Sequence, residues 1–437
     1  MVVACGLADR GAHARSSAIA APLARYPALD GLRGLAVLAV VAHHALPLGT
    51  FALPAPLGRL AEVGWLGVDV FFTLSGFLIT RILLATRDLP DYYLPFYRRR
   101  AARILPLYFL VVGGLLAIAP SMAGDLRVYP GWTYLLFLSN LAIAWGGALG
   151  WMPLAITWSV AIEEQFYLAW APIVRRWSPA AVERMILGVL VLGGPLRLAV
   201  TLLDPVSKFT AYTLTICRLD GLLIGALVAL VQARGGGPAL ALREQRRSKS
   251  LEGLDPEPGW PPTAPFQVEG GRPGVFAGPS HSTGRNGAKR PLSRERGSPS
   301  ARNGSPPRAL AVAFGLVGAL FVAALTDAIQ PDAAWFLALG YPLAPAATGL
   351  FIASLAGTGG IAQRALSWAP LRALGRVSYA VYLLHVSVLA VLWPLLPAGA
   401  HSAWDGVGWL ALTLGITWVL AEISMRVFEA PMLRRFG

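Results

Sequence analysis

The 437-residue chain has few cysteines and few charged side chains, and both shortages restrict its class. Its two cysteines, Cys5 and Cys217, lie far apart and form no spaced framework. Disulfide scaffolds and thiolate metal sites are therefore not expected. Charged residues make up 14% of the chain, whereas soluble domains average about a quarter. The composition argues against a soluble globular domain.

The N-terminus and the charge balance exclude two further classes. The first 25 residues lack the apolar core of a cleavable signal peptide, which predicts a short cytoplasmic tail. The net charge of +14 is compatible with nucleic-acid binding, but cytoplasmic Lys and Arg of a membrane protein explain it better. We expect no nucleic-acid partner and no metal.

Long apolar runs dominate the chain, whose mean hydropathy is +0.57. Eleven segments are candidate membrane spans, at about 30–48, 64–85, 104–121, 133–149, 157–174, 185–203, 211–232, 309–326, 334–357, 376–396 and 405–425. Arginine clusters follow the second, fifth, ninth and eleventh segments, so the positive-inside rule places these loops and the N-terminus in the cytoplasm. Two cytoplasmic termini require an even number of crossings. The expected fold is an all-α integral membrane protein of the cell membrane, with about ten transmembrane helices.

Parity also predicts which segment does not cross. The loops after the second and fifth segments both lie inside, although three segments separate them. The segment 133–149 is broken by Gly146 and Gly147 and carries Trp145. Non-helical backbone is tolerated at membrane depth where protein or water surrounds it. We therefore expect one re-entrant or interfacial element here.

The chain between 234 and 308 is rich in Gly, Pro, Ser and Arg and has no helical or strand period. This composition predicts a disordered basic cytoplasmic linker, more plausibly passive than bound to lipid headgroups. It separates a tail at 1–27 and a transmembrane block at 28–233 from a second transmembrane block at 309–437.

The first segment carries an imidazole and a charge pair on one face. Arg33 and His44 are eleven residues apart, and eleven steps of about 100° complete about three turns. Asp30 lies within about 40° of the same line. Ionisable groups inside a span are costly, so this arrangement indicates function.

Small and polar residues form a stripe on the second segment. Asp69, Thr73, Gly76 and Thr80 recur at helical spacing. Helix packing and a polar cavity lining are both typical of such a stripe. The carboxylate of Asp69 needs in addition a partner, such as Arg33 or a bound ligand.

Two clusters of ionisable residues stand at the starts of later segments. Arg99, Arg100 and Arg103 are first a topology signal, but grouped guanidinium forks also bind phosphate. Glu163 and Glu164 point about 100° apart, so one can face a cavity while the other pairs or caps its helix.

Two later segments carry further ionisable residues. Arg218 and Asp220 stand near the start of the seventh segment, 211–232. In the tenth segment of the chain, Ser378 and His385 align at a spacing of seven residues. A lone histidine in such a position is more often structural.

Five motifs stand in order along the chain: Asp30-Gly31-Leu32-Arg33-Gly34 with His44; Gly67-Val68-Asp69 to Ser75-Gly76-Phe77-Leu78-Ile79; Arg100 and Arg103 followed by Ile104 and Pro106; Thr157-Trp158-Ser159 to Glu163-Glu164-Gln165-Phe166-Tyr167; and Ser378-Tyr379 to His385. Together they resemble the membrane acyltransferase-3 family, over about residues 27–432. The resemblance implies a ten-span enzyme that moves an acyl group, commonly acetyl, from cytoplasmic acyl-CoA to a hydroxyl, usually of a sugar. It implies that His44, rather than His43, is the essential histidine, and that Arg33, Arg100 and Arg103 are functional.

The chain departs from the family pattern in three ways. His43 stands where the family usually has an aromatic residue, and the segment 234–308 is unusually long for its loop. We also expect that the SGNH hydrolase-like domain of some relatives is absent after the last span.

From these residues we expect acyl transfer in which arginines meet the CoA phosphates and His44 deprotonates the acceptor hydroxyl. Asp30, Asp69 or Glu163 then orients or tunes His44, and the pantetheine arm enters a cavity lined by Arg33 and the Asp69 stripe. The expected catalytic residues are His44, Asp30, Asp69, Glu163 and Glu164, and the expected substrate-binding residues are Arg33, Arg99, Arg100, Arg103, Ser75, Arg218, Asp220 and His385. No cofactor is expected to be bound, acyl-CoA being a substrate.

Three alternatives stay open at this level. A transporter or flippase uses intramembrane charges in a similar way, although paired halves with matching broken helices are not evident in this chain. Direct transfer and a covalent acyl-histidine relay are not separated by the residues. The acceptor, a carbohydrate or glycoside at the membrane, is not specified further.

Overall fold

The computed structural model describes residues 27–47, 49–203, 209–234, 315, 340–355, 360–399 and 401–436. Its α-helices are, in chain order, α1 (Pro27–Ala45), α2 (Ala55–Glu62), α3 (Gly67–Thr86), α4 (Tyr93–Met122), α5 (Gly131–Leu135), α6 (Ser139–Gly146), α7 (Met152–Ala155), α8 (Thr157–Arg176), α9 (Pro179–Leu203), α10 (Thr210–Thr213), α11 (Thr215–Arg234), α12 (Tyr341–Leu355), α13 (Ile361–Leu366), α14 (Ala369–Arg376), α15 (Ser378–Leu392), α16 (Ala403–Ser424) and α17 (Ala430–Phe436). Strands β1 (Phe51–Ala52) and β2 (His401–Ser402) pair in parallel, with Phe51 opposite His401. Apart from this short pair, the helical prediction is confirmed over the described part of the chain.

The membrane character of the helices is confirmed, whereas their predicted number is not tested in full. Within the described part of the chain, seven stretches are long and apolar enough to cross a membrane: Pro27–Ala45, Ala55–Thr86, Tyr93–Met122, Pro179–Leu203, Thr210–Arg234, Ser378–Leu395 and Ala403–Arg435. All seven coincide with predicted segments. Helix α8 covers the segment 157–174 but is not among the seven. The segment 309–326 lies almost entirely outside the described residues, and the segment 334–357 is described only from 340 to 355, so ten crossings stay a prediction.

The segment 133–149 is broken, as its glycines indicate. It forms the short helices α5 and α6, of 5 and 8 residues, and a span needs about 20. Phe137 and Gly147 adopt positive φ angles of 55° and 71°, which interrupt the helical path. The re-entrant or interfacial placement of this segment stays a prediction.

The predicted tail and linker lie almost entirely outside the described residues. All the described residues belong to one compact unit.

The polar stripe on α3 is a packing face. A Cβ atom at Gly76 would overlap the carbonyl of Leu222 on α11, and one at Gly225 would overlap the carbonyl of Thr73. Such small residues let two helix backbones approach closely within a membrane. Of the two interpretations of the stripe, close packing is the one observed, and the cavity described below lies on another face of α3.

Glycines also fix the position of α1. Gly31 and Gly34 lie against the backbone of Leu366 and Leu371, and Gly375 lies against that of Asp30. Helix α1 additionally packs on α3 and α15. The face that carries Arg33 and His44 is thereby held beside the helix that carries Ser378 and His385.

Candidate active site

A cavity lies among α1, α3, α4, α8 and α15, and its empty space, including the opening to solvent, amounts to about 660 Å³. Its lining consists of Arg33, Val68, Phe71, Phe72, Ser75, Arg100, Arg103, Ile104, Ser159, Val160, Glu163, Tyr167, Ser378, Tyr379 and Tyr382. The cavity therefore brings together five of the residues predicted from the sequence, contributed by four helices: Arg33, Ser75, Arg100, Arg103 and Glu163.

Three guanidinium groups give the cavity its charge. Arg100 and Arg103 are three residues apart on α4 and face the same side, whereas Arg99 is rotated by about 100° and is not part of the lining. Arg33 approaches Asp30 on its own helix at 3.9 Å. The Arg100 guanidinium lies 5.6 Å from the centre of the Tyr167 ring. This cluster suits an anion with several oxygens, since each guanidinium donates a planar fork of hydrogen bonds.

Glu163 is the one carboxylate among the residues that line the cavity. It accepts a hydrogen bond of 2.8 Å from the Ser75 hydroxyl and one of 3.3 Å from the Tyr167 hydroxyl. The neighbouring Glu164 is not part of the lining, and its buried Oε1 has no hydrogen-bond partner among the described residues. As the helical period predicts, one of the two adjacent carboxylates faces the cavity and the other does not.

Tyr382 closes one side of the cavity and was missed from the sequence. Its hydroxyl is 2.7 Å from that of Ser159 and 3.2 Å from the carbonyl of Ile156. Its ring lies 6.3 Å from that of Phe71. Its position could have been predicted from helical spacing. Tyr382 follows Ser378 by four residues and precedes His385 by three, so the three side chains share one face of α15.

His44 does not line this cavity and is not bonded to the carboxylates predicted to orient it. Asp30, Asp69 and Glu163 form none of its hydrogen bonds among the described residues, so the expectation that one of them orients His44 by direct contact was wrong, and tuning by their charges stays a prediction. Instead, Nδ1 of His44 lies 3.0 Å from the carbonyl of Val40 and 3.2 Å from Nε2 of His385. The two imidazole centres are 5.0 Å apart.

The contacts of the two rings determine where their protons lie. A carbonyl oxygen accepts but never donates, so Nδ1 of His44, beside the Val40 carbonyl, carries its proton. Nδ1 of His385 lies 2.6 Å from the Tyr382 carbonyl and is protonated for the same reason. In the neutral rings, Nε2 of His385 accepts from His44, and Nε2 of His44 retains its lone pair. A lone pair at this atom is what a base or a nucleophile requires.

His43 has a different environment. Its Nδ1 lies 3.2 Å from the carbonyl of Ala61 on α2, and its Cβ packs beside Gly64. It touches the His44 ring edge-on, with ring centres 4.9 Å apart. The side chain thus connects α1 to α2, whereas His44 faces α15.

Asp69 lies outside the cavity lining, and its partner differs from the one expected. Both Asp69 and Arg218 are fully buried, and Nη2 of Arg218 donates a bond of 2.7 Å to Oδ1 of Asp69. The protein partner of Asp69 is therefore Arg218, and the expected pairing with Arg33 was wrong. The Arg218 guanidinium is surrounded by aromatic rings at 4.7–5.9 Å, those of Tyr341, Tyr212, Trp158 and Phe72.

A second buried ion pair adjoins the first. Asp220 binds Arg197 of α9 at 3.0 Å, and Arg197 also donates to the carbonyl of Cys217. Arg197 was not among the residues predicted from the sequence, although an arginine within an apolar segment indicates a functional or paired charge. Arg218 and Asp220 are thus bound within a network that joins α3, α9 and α11, and neither lines the cavity.

Comparison with known families identifies the family of the chain. The family model described as an acyltransferase domain matches residues 26–236 and 292–422. The chain belongs to the membrane acyltransferase-3 family. Its several long apolar helices and its membership of this family indicate a multi-pass membrane protein. No solved structure matches it.

Curated members of the acyltransferase-3 family are similar to the chain along most of its length. A putative peptidoglycan O-acetyltransferase of Bacillus subtilis is 26% identical over 93% of this chain and 54% of its own length. A peptidoglycan O-acetyltransferase of Listeria monocytogenes is 25% identical over 93% of the chain and 55% of its own length. An O-acetyltransferase of Staphylococcus aureus is 22% identical over 94% and 57%. The chain spans about half the length of these relatives, and their names favour an enzyme over a transporter.

Proposed function

We propose that the protein is a membrane O-acyltransferase that moves an acetyl group from acetyl-CoA to a carbohydrate hydroxyl. The observation that carries the proposal is the cavity in which Arg33, Arg100 and Arg103 converge beside a single lining carboxylate. Such a surplus of positive charge in a confined space favours an anionic ligand with phosphate groups. The names of the relatives support acetyl as the acyl group and a glycan as the acceptor.

The arginines bind the phosphates of the donor at the cytoplasmic end of the bundle, and the pantetheine arm extends along the cavity towards Tyr382. The acceptor hydroxyl approaches His44, whose Nε2 lone pair takes the proton as the oxygen attacks the thioester carbonyl. His44 then protonates the departing CoA sulfur. The same lone pair also serves a covalent acyl-histidine route, and the residues present are compatible with either.

The assay is turnover of radiolabelled acetyl-CoA by the purified, monodisperse protein with glycan acceptors. Acetyl-CoA consumption with label appearing in the acceptor supports the proposal. Movement of a glycan across a vesicle membrane without acetyl-CoA consumption identifies the transporter alternative and contradicts it.

Neighbouring arginines provide a matched pair of variants for the donor site. We expect Arg100→Gln to raise the KM for acetyl-CoA about tenfold or more, because a charge-assisted bond is worth about 1.5–3 kcal/mol. Arg99→Gln removes the same charge next to the cavity lining and should change this KM by less than about threefold. Equal effects of the two substitutions would contradict the placement of the phosphates in the cavity.

Neighbouring histidines provide the second pair. We expect His44→Ala to lower kcat by about 10²–10⁴-fold, the usual loss for a general base. His43→Phe should stay within a few-fold of the parent protein, because His43 faces α2 rather than α15. An inactive His43→Phe protein alongside an active His44→Ala protein would show that His43 is the base.

Arg33→Ala is expected to impair activity by weakening donor placement. Its effect should appear in the KM for acetyl-CoA, since Arg33 lines the donor cavity and His44 does not. A loss confined to kcat would instead connect Arg33 to the chemical step.

A further inference from the structure

The contact between His44 and His385 joins two distant parts of the chain. The residues are 341 positions apart, and their ring nitrogens lie 3.2 Å from each other. His385 is fully buried. His385 was predicted to bind substrate, but it is not in the cavity lining. Its contacts are with the proposed base and with the carbonyl of Tyr382.

The hydrogen bonds around these rings run in one direction. His44 donates from Nδ1, sharing the proton between the Val40 carbonyl and Nε2 of His385. His385 in turn donates from Nδ1 to the Tyr382 carbonyl. A chain of bonds polarised in this way strengthens each member when charge develops at one end.

We propose that His385 is a positioning residue that, together with the Val40 carbonyl, holds His44 in its Nδ1-protonated tautomer and shares the charge that His44 acquires during transfer. This inference rests on the proposed function. When His44 becomes protonated, its Nδ1–H points at the lone pair on Nε2 of His385. The group that stabilises the positive charge of His44 is then a second imidazole. Neither ring has a carboxylate as hydrogen-bond partner among the described residues. His385 thus takes the orienting role that an aspartate has in Ser-His-Asp hydrolases.

The proton movements balance over one cycle. The acceptor O–H bond breaks and its proton joins Nε2 of His44, while the oxygen forms a bond to the thioester carbon. The C–S bond then breaks, and the sulfur takes the proton from Nε2 to give the free CoA thiol. The Nδ1 proton of His44 stays between the two rings, so His385 ends the cycle unchanged.

The test compares two substitutions of His385 with one control on the same helix. His385→Leu removes the acceptor, and we expect kcat to fall about 10–100-fold with the KM for acetyl-CoA unchanged. His385→Gln places an amide carbonyl near the position of Nε2. Its kcat should therefore be about tenfold higher than that of His385→Leu. Ser387→Ala serves as control, because the Ser387 hydroxyl has no hydrogen-bond partner among the described residues.

Two results would overturn the inference. One is parent-level kcat in His385→Leu while His44→Ala is inactive. The other is a His385→Gln protein no more active than His385→Leu, because a purely structural requirement for the imidazole explains that pattern. Absence of acetyl-CoA turnover in the parent protein refutes the proposed function itself, so the two failures are distinguishable.

A spectroscopic measurement on the unsubstituted protein tests the direction of the hydrogen bond without relying on an activity readout. With ¹⁵N-labelled histidine, and with His44→Ala used for assignment, neutral His44 should show a protonated Nδ1 and an unprotonated Nε2. The opposite tautomer would refute the proposed hydrogen-bond direction.

Discussion

The buried pair between Asp69 and Arg218 allows a quantitative prediction about stability. Two unit charges at the observed 2.7 Å attract each other by about 6 kcal/mol at an effective dielectric constant of about 20. Desolvation offsets much of this attraction, so the pair adds little net stability compared with apolar residues. Removing one partner is different, because it leaves the other charge buried without compensation. We therefore expect Asp69→Asn to lower the free energy of unfolding by about 3–5 kcal/mol.

The surroundings of Arg218 explain why the loss cannot be repaired locally. Its Nε and Nη1 atoms already lack hydrogen-bond partners among the described residues, and four aromatic rings surround the guanidinium. The rings attract the cation but accept no strong hydrogen bond. The double substitution Asp69→Leu with Arg218→Met removes both charges and should regain most of the stability.

The assay is thermal unfolding of the detergent-solubilised protein, followed by tryptophan fluorescence and checked by size-exclusion chromatography. Arg33→Ala serves as a comparison, because Arg33 approaches its carboxylate only at 3.9 Å and is partly exposed. The reasoning is refuted if Asp69→Asn keeps the parent's unfolding midpoint but abolishes transfer. In that case Asp69 acts in the chemistry, as the sequence first indicated. A double variant less stable than Asp69→Asn would equally contradict the argument.

Three further predictions concern packing, the linker and topology. Gly76→Leu should prevent stable insertion, because its side chain meets the backbone of α11; a monodisperse variant with parent activity would contradict this. Deleting about residues 250–300 should leave insertion and acetyl-CoA turnover intact, since loop length has little entropic cost; loss of turnover in an inserted deletion variant would make the linker part of the enzyme. A reporter after Gly235 should score cytoplasmic and one between Ala119 and Pro130 extracytoplasmic, and the opposite result at both sites would overturn the ten-span topology.

The sequence predicted those features that depend on one helix at a time. Composition and apolar segment length indicated a helical membrane protein, because the bilayer sets both. Helical period separated Glu163 from Glu164, and the family resemblance named Arg100 and Arg103, which both line the cavity, whereas Arg99, grouped with them by sequence, does not. Helical period also aligned Arg33 with His44, and the structure holds that face of α1 beside α15.

The contacts between helices could not be predicted from the sequence pattern of each helix. A helical period specifies which residues share a face, but it does not specify which helix that face meets. Asp69 therefore had several candidate partners, and its actual partner is Arg218, 149 residues further along the chain. Close packing at Gly76 and Gly225 brings the two helices together, and this decides the pairing.

The same limit applies to the base and its neighbour. The spacing of Ser378 and His385 identified a face of α15, and the spacing of Arg33 and His44 identified a face of α1. Tertiary packing alone placed His385 against His44 and closed the cavity with Tyr382. Local sequence thus determined which side chains stand together along each helix. The contacts that orient the imidazole depend on how the helices pack, because they join residues hundreds of positions apart.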